Sequence, residues 1–320
     1  MRLPFLLLGC IACHAATLLI LEKGVSALAF YSTNGQVIAT VPVGQHPHEL
    51  VFSADRKLLY TSDNGTMRIE HPGQGGNSLS VIDLASRRKI ADIPLGNFRR
   101  PHGMDLDPET GHLVVTTESP DQLILVDTKS RGIIRTFETK GKTSHMVTLG
   151  PGAKWAYVSN STSNTISAIR LKTGEVKIIP TAKRPEGSVL SKDGKELYVC
   201  NRDESMISVI STESDSQVAI IRTGAGPVRI ALTPDGSRLI YALMQDKKIG
   251  IADPKARKQL DYILLPASPV SLHLSPDGTR AFVSAEEQDT VYVVDLKSRH
   301  IEKEIKTPPG AGPDPVVEIP

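Results

Sequence analysis

The chain has 320 residues, and 37 Lys and Arg against 35 Asp and Glu leave a net charge of only +2. That balance argues against bulk binding of polyanions, and 40% hydrophobic with 22% charged residues excludes wholesale disorder. Three cysteines cannot staple a fold of this length.

The chain opens with a short positive start, Met1-Arg2, an apolar run from Leu3 to Ala12, and the small-residue pattern Cys13-His14-Ala15. This is a signal-peptide layout with cleavage before Ala16, so residues 1–15 are expected to be removed and the protein exported to the periplasm or secreted. The apolar run falls short of the roughly 20 residues a membrane span needs. Lipid anchoring at Cys10, through Leu7-Leu8-Gly9-Cys10, ranks second because no polar tether follows it. Cys200 is then the one cysteine left, and its apolar setting in Leu197-Tyr198-Val199-Cys200 reads as core.

Residues 16–46 read as strands two, three and four of a unit that lacks its first strand. A repeat then takes over: Pro (or Ser), two variable positions, an apolar alternation and an Asp-Gly type turn, starting at residues 47, 101, 144, 185, 227 and 269. A truncated copy, Pro313-Asp-Pro-Val-Val-Glu-Ile, ends the series. The spacing is 41–44 residues except for a first interval of 54, and about 40–45 is the length of a four-stranded propeller blade. Within the unit from Pro185, strands are predicted at Gly187–Leu190, Glu196–Cys200, Met206–Ile210 and Gln217–Arg222, and no sustained 3.6-residue period predicts helix.

Joining residues 16–46 to 313–319 closes a further blade from both chain ends and removes exposed sheet edges. The prediction is therefore an all-β, seven-bladed propeller forming one domain over 16–320. Its blades are 16–46 with 313–319, 47–100, 101–143, 144–184, 185–226, 227–268 and 269–312. The 305 residues from Ala16 onward, shared among seven blades, give about 44 each.

The second strands carry Leu59-Tyr60-Thr61-Ser62, Ala156-Tyr157-Val158-Ser159-Asn160 and Leu197-Tyr198-Val199-Cys200-Asn201. Third strands include Ser80-Val81-Ile82-Asp83-Leu84 and Val291-Tyr292-Val293-Val294-Asp295. Together these resemble the exported YVTN-repeat β-propeller family over residues 16–319, with the terminal Asn missing at Leu239–Leu243 and Ala281–Ala285. The resemblance implies the fold. Propellers host binding proteins, lactonases, lyases and oxidoreductases alike, so function must come from positions that break the repeat.

The turn Asp residues (Asp55, Asp193, Asp235, Asp277) and third-strand Asp residues (Asp83, Asp127, Asp253, Asp295) recur in most units and read as structural. The position after the first Pro or Ser does not recur: it is His48, His102, His145, Glu186, Val228, Val270 and Asp314 around the ring. Second-strand ends show the same asymmetry, with Asp63, Glu118, Asn160 and Asn201 followed by Leu243 and Ala285. Because first and second strands are antiparallel, both series meet on one face, together with Arg100 and Arg184. The extra residues of the first unit, Gly65–Ser78 with His71, emerge there too, and long connections are often binding loops or lids.

Two imidazoles or more with a carboxylate suit zinc, copper or iron, so His48, His102, His145 and Glu186 are the candidate metal ligands. Arg100, Glu118, Asp63, Asn160, Arg184, Asn201 and His71 are the candidate ligand-binding residues. A metal-free pocket for an anionic or hydroxylated small molecule is the parallel expectation. Lactonase or virginiamycin B lyase-like chemistry, with a His or Glu118 as base, and a non-catalytic scaffold are the alternatives. Nucleophile-elbow, P-loop and dinucleotide motifs are absent, and 4% aromatics disfavours nucleic-acid binding. A monomer is expected.

Overall fold

The computed structural model describes residues 17–71 and 73–319. The signal-peptide reading, with Cys10 and Cys13, lies outside them. Seven four-stranded antiparallel sheets form the predicted ring. One sheet combines Pro313–Ile319 with Thr17–Glu22, Ala27–Ser32 and Val37–Pro42, so the last blade is closed from both ends of the chain. Three 3-10 turns of three residues, Lys23–Val25, Pro151–Ala153 and Glu286–Gln288, are the helical elements among the described residues.

The first strands line the central channel and touch one another in sequence order before the last, Pro313–Ile319, meets the first, Pro47–Phe52. Numbering blades by these strands, blade one starts at Pro47, two at Arg99, three at Ser144, four at Pro185, five at Pro227, six at Ser271 and seven at Pro313. Second strands are buried on both faces, which is why they carry unbroken apolar runs such as Leu197–Cys200. Their tyrosines pack between sheets: Tyr241 lies so close to Gly250 that any Cβ there would overlap its ring. Fourth strands form the outer wall and are mostly exposed, each with one buried residue next to its end, Val41 and Ile93 in the first two.

The turn aspartates serve the hairpins. Asp193 Oδ1 accepts from Ser191 Oγ at 2.7 Å and from Lys195 N at 3.1 Å, and Asp55, Asp235 and Asp277 repeat the arrangement. Third-strand Asp83, Asp127 and Asp253 accept backbone N–H groups of the next turn. Cys200 is a free, fully buried thiol, and burial pushes its pKa upward.

The long connection of blade one leaves Asp63 and crosses the channel mouth. Arg100 donates to the Ile69 carbonyl at 2.7 Å and to that of His71 at 3.1 Å. Arg68 pairs with Glu287 of blade six at 2.8 Å, and Glu70 pairs with Arg184 at the start of blade four. Residues 65–71 therefore form a strap tied to three other blades.

Candidate functional site

The backbone aims the ring of variable residues. Directly before the repeat's Pro or Ser the chain takes a left-handed residue in six of the seven blades: His46, Arg100, Thr143, Arg184, Gly226 and Gly312 have φ between 42° and 73°. Directly after the Pro or Ser the pairing with the second strand slips, between Pro47 and Leu50, Pro101 and Met104, Ser144 and Met146, and Pro185 and Ser188. A bulge of this kind re-aims the side chains inside it, here His48, His102, His145 and Glu186. Gly103 follows His102 because a Cβ at that position would sit 2.6 Å from the His145 carbonyl oxygen.

The left-handed positions also explain two arginines. Non-glycine residues there carry a cost of roughly 1 kcal/mol, and blades five and seven avoid it with glycine. Arg100 and Arg184 accept it and use their side chains. Arg100 Nε donates to Glu118 Oε2 at 2.9 Å, and Arg184 Nε donates to Glu186 Oε1 at 3.1 Å.

The three histidines stand side by side. His48 Nε2 lies 2.7 Å from the Thr66 carbonyl oxygen, and His48 Nδ1 lies 2.9 Å from His102 Nε2. A carbonyl only accepts, so Nε2 of His48 carries its proton. Burial and then the Lys23 charge lower the pKa of His48; burial and then His145 lower that of His102. Both rings are accordingly neutral. His48 Nδ1 is left as an acceptor, His102 Nε2 is its donor, and His102 Nδ1 retains a lone pair. That nitrogen is buried and has no hydrogen-bond partner among the described residues.

His145 packs against His102 with ring centroids 3.7 Å apart. Its two nitrogens face two carboxylates, Nε2 with Glu186 Oε2 at 2.9 Å and Nδ1 with Glu118 Oε1 at 3.3 Å. Burial opposes charge on His145, but Glu186 and Glu118 overcome it and raise its pKa to about 9. Burial likewise opposes the Glu186 carboxylate, and His145 with the two arginines wins, lowering it to about 2.

Among the described residues, His102, Glu118 and His145 each offer a ligand atom within 4.8 Å of the others, the arrangement of a metal site. Of the expected set of His48, His102, His145 and Glu186, this group contains His102 and His145, joined by Glu118. His48 and Glu186 lie outside that group and contact its members, His48 through His102 Nε2 and Glu186 through His145 Nε2.

Register separates the candidate ligand-binding residues. Asp63, Asn160 and Asn201 pair directly with Pro47, Ser144 and Pro185, but Pro101 pairs with Thr117. Glu118 is thus one residue further on, and a one-residue offset in a strand reverses the side. Asp63 accepts from Thr61, Ser78 and Ser80 inside its blade, and Asn160 and Asn201 bond Ser167 and Ser208. Gly44 and Gly141 pack directly on Asp63 and Asn160. These three side chains are not brought to the histidines. The His71 ring is not either: its residue is exposed and contributes a carbonyl to Arg100. Arg100, Glu118 and Arg184 do converge.

The same register names residues that motif alignment missed. One past the second-strand end, or past Thr117 in blade two, come Lys23, Asn64, Glu118, Ser161, Arg202, Met244 and Glu286, of which Lys23, Arg202, Met244 and Glu286 line a cavity of about 330 Å³ with His48, His102, His145 and Glu186. Lys23 is buried and bonded to Glu286 at 2.6 Å and Asp314 at 3.4 Å. Counting from the strand pairing rather than from the Tyr-Val motif would have found them.

Comparison with known proteins agrees with this architecture. Residues 96–253 match the family described as Lactonase, 7-bladed beta-propeller. Antigen Lp49 of Leptospira interrogans is 29% identical over 136 residues, 41% of this chain and 30% of its own length. The uncharacterized protein YncE of Salmonella typhimurium is 27% identical over 142 residues, 43% of this chain and 40% of its own. The matches thus span well under half of either relative. A functionally unknown protein from Desulfotomaculum acetoxidans superposes with a TM-score of 0.78 at 14% identity, covering 94% of this chain and 98% of that one.

Proposed function

We propose that this chain is an exported YVTN-type propeller that binds a divalent transition-metal ion, zinc, copper or iron, at its channel mouth. His102, Glu118 and His145 are its ligands. The observation that carries this reading is the buried Nδ1 of His102, without a hydrogen-bond partner among the described residues, on a side chain grouped with those of Glu118 and His145. A lone pair closed off from water without a partner is costly unless something fills it. The mixture of imidazole and carboxylate donors suits these ions, and the outer contacts have the usual form: Glu186 holds the far nitrogen of His145, and His48 holds that of His102.

Metal content of the protein, purified without chelator, tests the reading. We expect about one ion per chain and its loss in His102→Ala. Equal content in both proteins would overturn it. The match of residues 96–253 to a lactonase family supports hydrolysis of a lactone as a second reading. There a metal held by His102, Glu118 and His145 would polarise the carbonyl. Lactone turnover abolished in His102→Ala and Glu118→Gln would support it. Convergence of His48, His102, His145 and Glu186 into one cavity weighs against a purely structural scaffold.

A further inference from the structure

The cavity has two unlike walls. Its aligned ring residues are polar on blades one to four and seven, but Val228 and Val270 on blades five and six, joined by Met244, make an apolar patch. In a ring of seven, blades five and six stand opposite blade two, so this patch faces His102 across the cavity. Between the two walls, on blade four, lies Arg202.

Arg202 differs from the other cations around the cavity. Lys23 is held by Glu286, Arg184 by Glu186 and Glu70, and Arg229 by Glu49. Among the described residues, the one carboxylate within 4 Å of Arg202 is Glu186, whose Oε1 is 3.7 Å away, beyond hydrogen-bonding distance. That carboxylate already serves His145 and Arg184. The Arg202 side chain is about one quarter exposed and makes no side-chain hydrogen bond among the described residues. A guanidinium fork left open in a half-closed cavity matches a planar carboxylate. Glu186 beside it disfavours a doubly charged phosphate, whereas a singly charged group is tolerated.

We propose that the cavity receives a short-chain aliphatic carboxylate, its carboxylate held by Arg202 and its hydrocarbon chain laid on Val228, Val270 and Met244. A chain laid along that wall faces His102 from across the cavity. The cavity volume of about 330 Å³ sits at the small end of organic ligand sites, which fits a chain of a few carbons. This inference goes beyond the metal reading and does not depend on it, because neither Arg202 nor the apolar wall is a metal ligand.

Calorimetric titration of the full chain with hexanoate, butanoate and hexylamine tests it. Hexanoate is expected to bind, butanoate to bind more weakly by about fourfold per methylene removed, and hexylamine not to bind. Arg202→Gln should weaken hexanoate at least tenfold at an unchanged thermal midpoint. Arg202→Lys should fall between, since it keeps the charge and loses the fork. Val270→Ser should flatten the chain-length dependence. Absence of hexanoate binding, equal binding of hexylamine, or undiminished affinity in Arg202→Gln each overturns the proposal. Repeating the titration after chelation, with metal content measured on the same samples, separates the two readings. Affinity that follows the metal and ignores Arg202 removes this proposal and leaves the metal site standing.

Discussion

Glu49 and Arg229 form an ion pair across the channel, from blade one to blade five, with both side chains largely buried. Each lies one residue deeper than the ring of His48 and Val228, and Arg229 also donates to the Met146 thioether at 3.1 Å. Burial raises the pKa of Glu49, and Arg229 opposes that rise. Removing one member leaves an uncompensated buried charge, so Glu49→Met or Arg229→Leu alone should cost about 3–5 kcal/mol. Replacing both, as Glu49→Met with Arg229→Leu, should recover most of that loss, because two apolar side chains need no partner. Chemical denaturation of all four proteins measures it. Losses that simply add would show that the pair is not coupled.

Glu49 and Arg229 were legible in principle and went unread. The position after the ring residue holds Glu49, Gly103, Met146, Gly187, Arg229, Ser271 and Pro315, where two opposite charges look like scatter until the ring is folded. The seven-blade count, the closure from both ends and the ring of histidines were all visible, because they depend on spacing, which a repeat displays directly. Glu118 was visible as an acidic strand end but its partners were not. Its strand pairs one residue out of step with the others, with Thr117 rather than Glu118 opposite Pro101. Asp63, Asn160 and Asn201 misled for the same reason. A motif places residues along a strand, whereas the hydrogen-bond register decides which side they face.

The His48–His102 contact sets the protonation of His102 by relay from the Thr66 carbonyl. A glutamine at position 48 can donate through its amide nitrogen and accept through its oxygen, as the imidazole does. His48→Gln should therefore keep metal affinity within a few-fold, and His48→Leu should lower it about 10–100-fold. Competition against a chelator of known strength reads the difference. Equal affinity in His48→Leu and the parent protein would show that His102 needs no such support.

The strap over the mouth is tied by exposed pairs, Arg68 with Glu287 and Glu70 with Arg184. Exposed pairs contribute little to folding, typically under 1 kcal/mol, and are screened by salt. The double variant Arg68→Ala/Glu70→Ala should leave the thermal midpoint within a few degrees of the parent. Its effect should appear in access: chelator-driven metal loss should accelerate several-fold, and the parent should approach the same rate at high salt. A rate unchanged in both conditions would mean that the strap does not gate the cavity.

Asp63 offers a test of pH dependence away from the site. Burial is the first cause of its shift and raises its carboxyl pKa to about 6, although Ser80, Thr61 and Ser78 donate hydrogen bonds to it. A raised carboxyl pKa means that, between about pH 4 and 6, the folded protein holds a proton that the unfolded chain releases. Stability from this group is thus complete below pH 4, falls as pH rises through 6, and is flat above. Two pKa units correspond to about 3 kcal/mol. Blades three and four carry Asn160 and Asn201 at this position, each donating to a serine hydroxyl. Asp63→Asn should adopt the same pattern, because hydroxyls can turn from donor to acceptor. The variant should be more stable than the parent at pH 7–8 by about 1–3 kcal/mol, and the difference should vanish near pH 4. Denaturation at a series of pH values gives the difference curve directly, and a variant that is less stable at pH 8 would show that Asp63 is ionised and well held in the folded protein.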